Sequence, residues 1–250
     1  MARALTSRLL TSQMSIDQIP LGAHLGELRR RLIYCVVTLA VAFFACYAIS
    51  KNIVFILFYP IRQALPPGST MVFTALTEGF MTYLKVSFWS AVVISAPMLL
   101  YQIWAFVAPA LYDAEKRHVK TFVAWAVALF AAGVFFGYWV IMPVVLSVTL
   151  GFASHGLEAM PRLQNYLLFA LKTMFTFGVI FEIPFFMAFA SRLGLVPADY
   201  FKKHRKVGYI ALYVLAVILT PTDFFSQAML FVPLVCIFEI GIRLAGWLRR

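Results

Sequence analysis

Apolar runs of membrane-crossing length recur along this chain, and they decide what it can fold into. Residues 32–50, 86–106, 121–143 and 166–190 each approach the ~20 residues a helix needs to cross a bilayer core. Inside hydrocarbon the backbone must satisfy its own hydrogen bonds, so such runs become helices. Composition agrees. Of the 250 residues, 63% are hydrophobic and 12% charged, with mean hydropathy +0.89. A soluble domain carries about 25% charged residues. The fold class expected is all-α integral membrane, with residues 1–250 forming one membrane domain.

The last third is less regular. Residues 207–219 form an apolar run of about 13, below spanning length, before Thr220-Pro221-Thr222-Asp223. Residues 225–244 follow, interrupted by Pro233, Glu239 and Arg243. They read as a hairpin of two shorter helices, with Asp223 a fair N-cap for the second. Short spans imply local bilayer thinning or tilt against their neighbours. The expectation is six transmembrane helices, the last two short.

Between the first two spans, residues 51–65 are apolar but contain Pro60 and Arg62. They read as an interfacial helix, followed by a turn at Pro66-Pro67-Gly68. A second amphipathic piece, residues 74–85, carries Glu78, Phe80 and Tyr83, with an interfacial anchor as its plain reading. Pro97 is expected to kink the second span. Gly133 and Gly137 are spaced as a small-residue helix contact. Tyr101, Gln102, Trp104 and Phe106 look like an interfacial belt at the end of the second span.

Orientation follows from Lys and Arg. Alternate loops put the N-terminus, residues 108–120, residues 191–206 and residues 246–250 on one side, with most of the basic residues. The other side holds Lys51, Arg62, Lys85 and Arg162. The positive-inside rule makes both termini cytoplasmic, with one large external loop. Residues 1–22 form a cytoplasmic segment. Its first 13 residues are a basic extension, short for a transit peptide, and Met14 is an equally plausible start. No cleavable signal peptide is visible. The net charge of +11 is confined to clusters between apolar runs, which argues for loops rather than a nucleic-acid face. Cys35, Cys46 and Cys236 lie inside apolar runs and read as small buried hydrophobes.

Catalytic signatures are missing. There is no HExxH, no GxSxG in a suitable context and no GxxxxGK[ST]. His24, His118, His155 and His204 are scattered without an i,i+4 pair, so neither a metal site nor a cofactor is expected. What remains is a set of carboxylates. Glu27, in AHLGELRRRL, precedes three consecutive arginines at the entry to the first span. It can pair locally with Arg31 four residues on, or it can serve as an exposed receptor for a cation. Glu115, on the same side, has the same choice with Lys116, Arg117 or Lys120. Two carboxylates together suit two guanidinium groups, since each accepts a bidentate fork that lysine cannot offer. Glu182, in FGVIFEIPFF, lies near the middle of the fourth span, where burial is costly and function is the default reading. Lys172 is ten residues earlier, roughly 15 Å along a helix, and snorkels rather than pairs with it. Glu239 is expected to pair with Arg243 at i,i+4.

HLGELRRRL, YQIWAFVAPALYDAEKRHV, FGVIFEIP and LTPTDFFSQAMLFVPLVCIFEIG, in this order, resemble the TatC family, the multispanning receptor subunit of the twin-arginine protein translocase. The resemblance covers nearly the whole chain from about Met14, and the motifs are jointly specific. It implies a six-helix, concave, glove-like bundle. It also implies export of folded proteins across the bacterial cytoplasmic membrane, or a thylakoid membrane, driven by the proton-motive force. Glu27 and Glu115 match the family's signal-binding glutamates, with Leu28 and Arg29 in the same motif as Glu27. Glu182 matches its intramembrane glutamate, and Asp223 with Gln227 its polar position before the last helix. Pro97 and Phe80 join these as candidate partner-contact positions. Implied partners are twin-arginine signal peptides, single-span TatA-type and TatB-type subunits along the fifth and fourth helices, further copies within a larger complex, and membrane lipid. The basic extension and the lack of a long charged tail depart from the usual pattern without touching the site. The competing class is a small-molecule secondary transporter with Glu182 as a proton or cation relay. Internal repeats would favour it, and none is seen.

Overall fold

The computed structural model describes residues 21–65, 71, 77–107, 119–151, 161–192, 194, 196–219 and 224–247. Its elements are α1 (Leu21–Ala48), α2 (Ser50–Ala64), α3 (Glu78–Val107), α4 (Val119–Phe136), a π-helical turn (Gly137–Ile141), α5 (Met142–Gly151), α6 (Leu163–Arg192), α7 (Ala198–Lys203), α8 (Arg205–Leu219) and α9 (Phe224–Trp247). Five stretches among the described residues are long and apolar enough to cross a membrane: α1, α3, the α4–α5 rod, α6 and α9. α8 has 15 residues, about 22 Å of helix, and is the short member of the final hairpin. α9 continues past Pro233 to Trp247, beyond the boundary at 244 read from sequence.

Several helices outrun their apolar cores. α1 begins at Leu21, so AHLGELRRRL is one helix with the first span. α3 begins at Glu78 and runs unbroken through Pro97. Residues 78–85 are therefore the first turns of the second span, not a separate interfacial piece. The third span continues through the π turn to Gly151. A helix end leaves backbone N–H and C=O groups without intrahelical partners, so in apolar surroundings the helix carries on until something can satisfy them.

The packing is a row. α1 lies along α3, α3 along α6, α6 along α9, and α9 along α8, while α4 fills the angle formed by α3 and α6. Lipid removes the usual hydrophobic drive between helices, so close backbone approach has to hold them. A Cβ on Gly133 would lie 2.3 Å from the Phe177 carbonyl oxygen, and one on Gly178 would lie 2.7 Å from the Phe130 ring. α4 and α6 thus cross at a pair of glycines. Gly137 continues the same contact against the Met174 backbone.

α2 is pinned across the helix ends. Tyr138 donates its hydroxyl to the Ile56 carbonyl at 2.7 Å, and Tyr166 donates to the Leu57 carbonyl at 2.6 Å. Pro60 lies inside α2 and cannot donate to the carbonyl four residues back, Ile56. The Tyr138 hydroxyl takes that place. Sequence periodicity shows the helix, and these tyrosines explain why it tolerates the proline.

At the other end of the row, Glu239 of α9 is not paired with Arg243 as expected. It accepts hydrogen bonds from Arg205 Nη2 at 3.1 Å and from the Tyr209 hydroxyl, both on α8. The hairpin brings a cation and a hydroxyl from the neighbouring helix to the carboxylate, and this cross-helix pair replaces the local one. Cys46 is buried and Cys35 half-buried, but Cys236 is exposed on the outer face of α9. Its expected burial is corrected accordingly.

Candidate functional site

Two carboxylates mark two places. The first is built by the continuity of α1, which sets Glu27 and Arg31 one turn apart on one face. Arg31 Nε donates to Glu27 Oε1 at 3.0 Å, and Arg31 Nη2 donates to the same oxygen. Arg31 Nη1 crosses to α3 and donates to Gln102 Oε1 at 3.3 Å. The local pair is therefore formed, but it uses one carboxylate oxygen. Among the described residues no hydrogen bond reaches Glu27 Oε2, and the side chain is 32% exposed. A carboxylate has room for further donors on its second oxygen. Leu28 and Arg29 are exposed beside it, and Arg30 turns away to donate to the Tyr34 hydroxyl at 3.0 Å.

Gln102 is the residue that sequence reasoning misplaced. Gln102 and Trp104 were read as members of an interfacial belt, yet both are buried, Trp104 in the core. Tyr101 alone of the belt has an exposed ring. α3 turns Gln102 and Trp104 inward because α1 and α6 cover that side of it. The available signal was an amide amid aromatic and aliphatic neighbours. Its partner, Arg31, is 71 residues away in sequence.

The second place surrounds Glu182, midway along α6 and 3% exposed. Among the described residues neither carboxylate oxygen has a hydrogen-bond partner. A cleft of about 390 Å³ opens beside it, lined by Leu100 and Ile103 of α3, Phe130 of α4, and Val179 and Phe186 of α6. Among the described residues Glu182 is the only charged side chain lining this cleft. One wall is closed by an aromatic cluster. Trp104 stacks on Phe186 at 5.5 Å and meets Phe189 edge-on at 4.7 Å. Without a partner, a buried carboxyl costs the fold the desolvation of its oxygens. The cleft therefore offers a strong acceptor to any donor that enters from the membrane.

The remaining predicted positions are dispersed. Pro97 is exposed on α3, next to Ala96, which lines the Glu182 cleft. Phe80 is exposed in the first turn of α3, about 33 Å of helix from Gln102. Gln227 is half-buried in the first turn of α9. Glu115 and Asp223 lie outside the described residues. Lys172 is exposed, and no ion pair joins it to Glu182. No cluster of three His, Cys, Asp or Glu capable of holding a metal occurs among the described residues.

Fold and site together define a class: a multi-pass helical membrane protein with one carboxylate at a helix entry and another facing an intramembrane cleft. The family model for the Sec-independent protein translocase protein (TatC) matches residues 23–233. The Sec-independent protein translocase protein TatC of Desulforapulum autotrophicum is 38% identical over 226 residues, covering 90% of this chain and 84% of that protein. The protein of the same name from Escherichia coli strain K12 is 35% identical over 226 residues, covering 90% of this chain and 88% of its own length. A crystal structure of the twin arginine translocase receptor TatC superposes with TM-score 0.85 at 29% identity, covering 91% of this chain and 100% of that one. The chain belongs to the TatC family. It is a protein translocase component rather than an enzyme, with the six-span, glove-like layout of that family. The small-molecule transporter reading finds no support.

Proposed function

We propose that this chain is the receptor and core of a translocase in the bacterial cytoplasmic membrane, with both termini cytoplasmic. It binds twin-arginine signal peptides and passes folded proteins outward using the proton-motive force. The observation that carries this reading is the half-engaged carboxylate of Glu27. One oxygen is held by Arg31, and the other, which no described residue engages, can accept a second guanidinium. The Arg31–Gln102 bond fixes the carboxylate against α3, so an incoming arginine meets an acceptor that is already oriented. Glu115 takes the second arginine of the signal, and Leu28 and Arg29 border the path.

Glu182 gives the apolar cleft its one polar acceptor, for a single-span TatA-type or TatB-type subunit or for the deeper part of the signal. Pro97, Phe80, Asp223 and Gln227 are further contact positions for such partners. The exposed row Val207, Ile210, Val214 and Val217 on α8 supports docking of a single-span helix there. The whole chain acts as a single membrane domain within a larger complex containing further copies.

The test is binding of a twin-arginine signal peptide and its twin-lysine variant to wild type, Glu27→Gln and Glu115→Gln. A lost charge-assisted contact corresponds to about tenfold or more in affinity. Wild type should prefer the arginine peptide by about that factor, and each variant should lose most of the preference. Equal affinities across all combinations would sink the pairing.

A further inference from the structure

A second cleft, lined by neither carboxylate, has a different chemistry. Its volume is about 480 Å³, and it lies between α2 and the stretch of the third span around the π turn. Phe55, Ile56 and Tyr59 form one wall, Phe135 and Trp139 the other, and among the described residues Arg62 is the only charged one lining it. Phe55, Phe135 and Trp139 are each more than half exposed although they line a concave surface. Among the described residues no carboxylate pairs with Arg62.

The cleft is built by the π turn Gly137–Ile141. Its extra residue turns Tyr138 inward to the Ile56 carbonyl while Trp139 points outward, edge-on to Tyr59 at 6.1 Å. π turns inside α-helices are frequently found at functional positions. α2 follows the end of the first span directly and carries Pro60 and Arg62 within an apolar run, which suits a helix lying along the membrane–water boundary. Tyr and Trp rings gather at that same depth. The slot is thus an apolar trough reaching into the hydrocarbon, with aromatic rims and one guanidinium at headgroup level.

We propose that this cleft is a binding site for one anionic phospholipid, an acyl chain in the trough and its phosphate on Arg62. A guanidinium forks onto phosphate oxygens, and the trough removes the chain's contacts with neighbouring lipids without leaving a void. A helix of another protein fits less well. Its backbone would have to approach an exposed Phe55, Phe135 and Trp139, whereas helix contacts in lipid use small residues. The proposal does not depend on the signal-binding reading.

The test is native mass spectrometry of the purified protein supplied with phosphatidylglycerol or phosphatidylcholine, on wild type, Arg62→Gln and Arg62→Lys. Wild type should retain phosphatidylglycerol in preference to phosphatidylcholine. Arg62→Gln should lower phosphatidylglycerol retention about tenfold, the size of one charge-assisted contact, and Arg62→Lys should restore much of it. A phosphatidylglycerol with a photoreactive acyl chain should crosslink to residues 134–139. Equal retention of the two lipids by wild type, unchanged retention by Arg62→Gln, crosslinks confined to other helices, or a protein crosslinked at 139 in place of lipid would each overturn the proposal.

Discussion

Glu182 is the residue whose surroundings cost this fold most. It is buried at mid-helix, and among the described residues neither oxygen has a hydrogen-bond partner. Leaving such a group unpaired costs about 1–3 kcal/mol. An apolar replacement should relieve that cost, so Glu182→Leu is expected to melt no lower than wild type, and by this measure up to a few degrees higher. Its co-purification with single-span subunits, and export with it, should fall sharply. Thermal melting in detergent read beside subunit recovery separates the two effects. A lower melting temperature with normal recovery would mean that Glu182 serves the fold alone. The sequence shows Glu182 plainly, because a carboxylate amid FGVIFEIPFF has no innocuous explanation. It shows Glu27 only as a choice of readings, because local pairing and reception use the same atoms. The structure shows the local pair on one oxygen, and the proposed reception needs only the other. Gln102 was not legible as a site residue. Its role depends on where α1 crosses α3, and no spacing in either helix encodes that crossing.

At the scale of helices, two contacts carry the arrangement. Gly133 lets α4 touch the backbone of α6, with 2.3 Å available where a methyl group would stand. Neither backbone can yield without moving a whole helix, so Gly133→Val should destabilise the protein by about 3 kcal/mol or more. A thermal melt would show the loss. Gly151, with nothing within 4 Å, supplies the control, and Gly151→Ala should melt like wild type. The Gly133/Gly137 spacing made this contact legible from sequence. The clasp of Glu239 on Arg205 and Tyr209 was not legible, because the i,i+4 partner Arg243 was as good a candidate until the hairpin closed. The clasp is partly exposed, with side-chain exposures of 43% for Arg205 and 23% for Glu239. Solvent screening therefore keeps its contribution to stability small. Its consequence is geometric, since it fixes the short α8 against the lower half of α9. Glu239→Gln should leave the melting temperature within a few degrees of wild type while increasing tryptic cleavage at Lys202–Lys206, beside the clasp. Unchanged cleavage would show that apolar packing alone holds the hairpin.

For the whole molecule, the contacts sort the basic residues by end. Arg31 touches Gln102 at the end of α3, and Gly241 of α9 meets Met187 and Pro184 in the second half of α6. One end therefore gathers Arg29, Arg30, Arg31, Lys120, Arg192, Lys202, Lys203, Arg205, Lys206 and Arg243. The bonds from Tyr138 and Tyr166 to α2 define the opposite end, which holds Lys51, Arg62, Lys85 and Arg162. The inequality is larger than one loop could create, because every connection at the first end contributes to it. Basic residues resist transfer across the membrane, and this supports the proposed orientation with the richer end in the cytoplasm. This asymmetry could be counted from sequence once the spans were placed. What the fold adds is that the Glu27 carboxylate belongs to the basic end, where the arginine-bearing signal proposed as its ligand would approach against repulsion. Recognition there has to come from a few oriented acceptors rather than from the overall field, which favours the specific pairing argued for Glu27. A topology map would test the placement. Single cysteines introduced at residues 62 and 162, in a background with Cys35, Cys46 and Cys236 replaced, should react with a membrane-impermeant maleimide added to intact cells. Cysteines at 29 and 203 should react only after the membrane is opened. The reverse pattern would put Glu27 outside and remove it as a receptor for cytoplasmic signals, whatever its affinity for arginine.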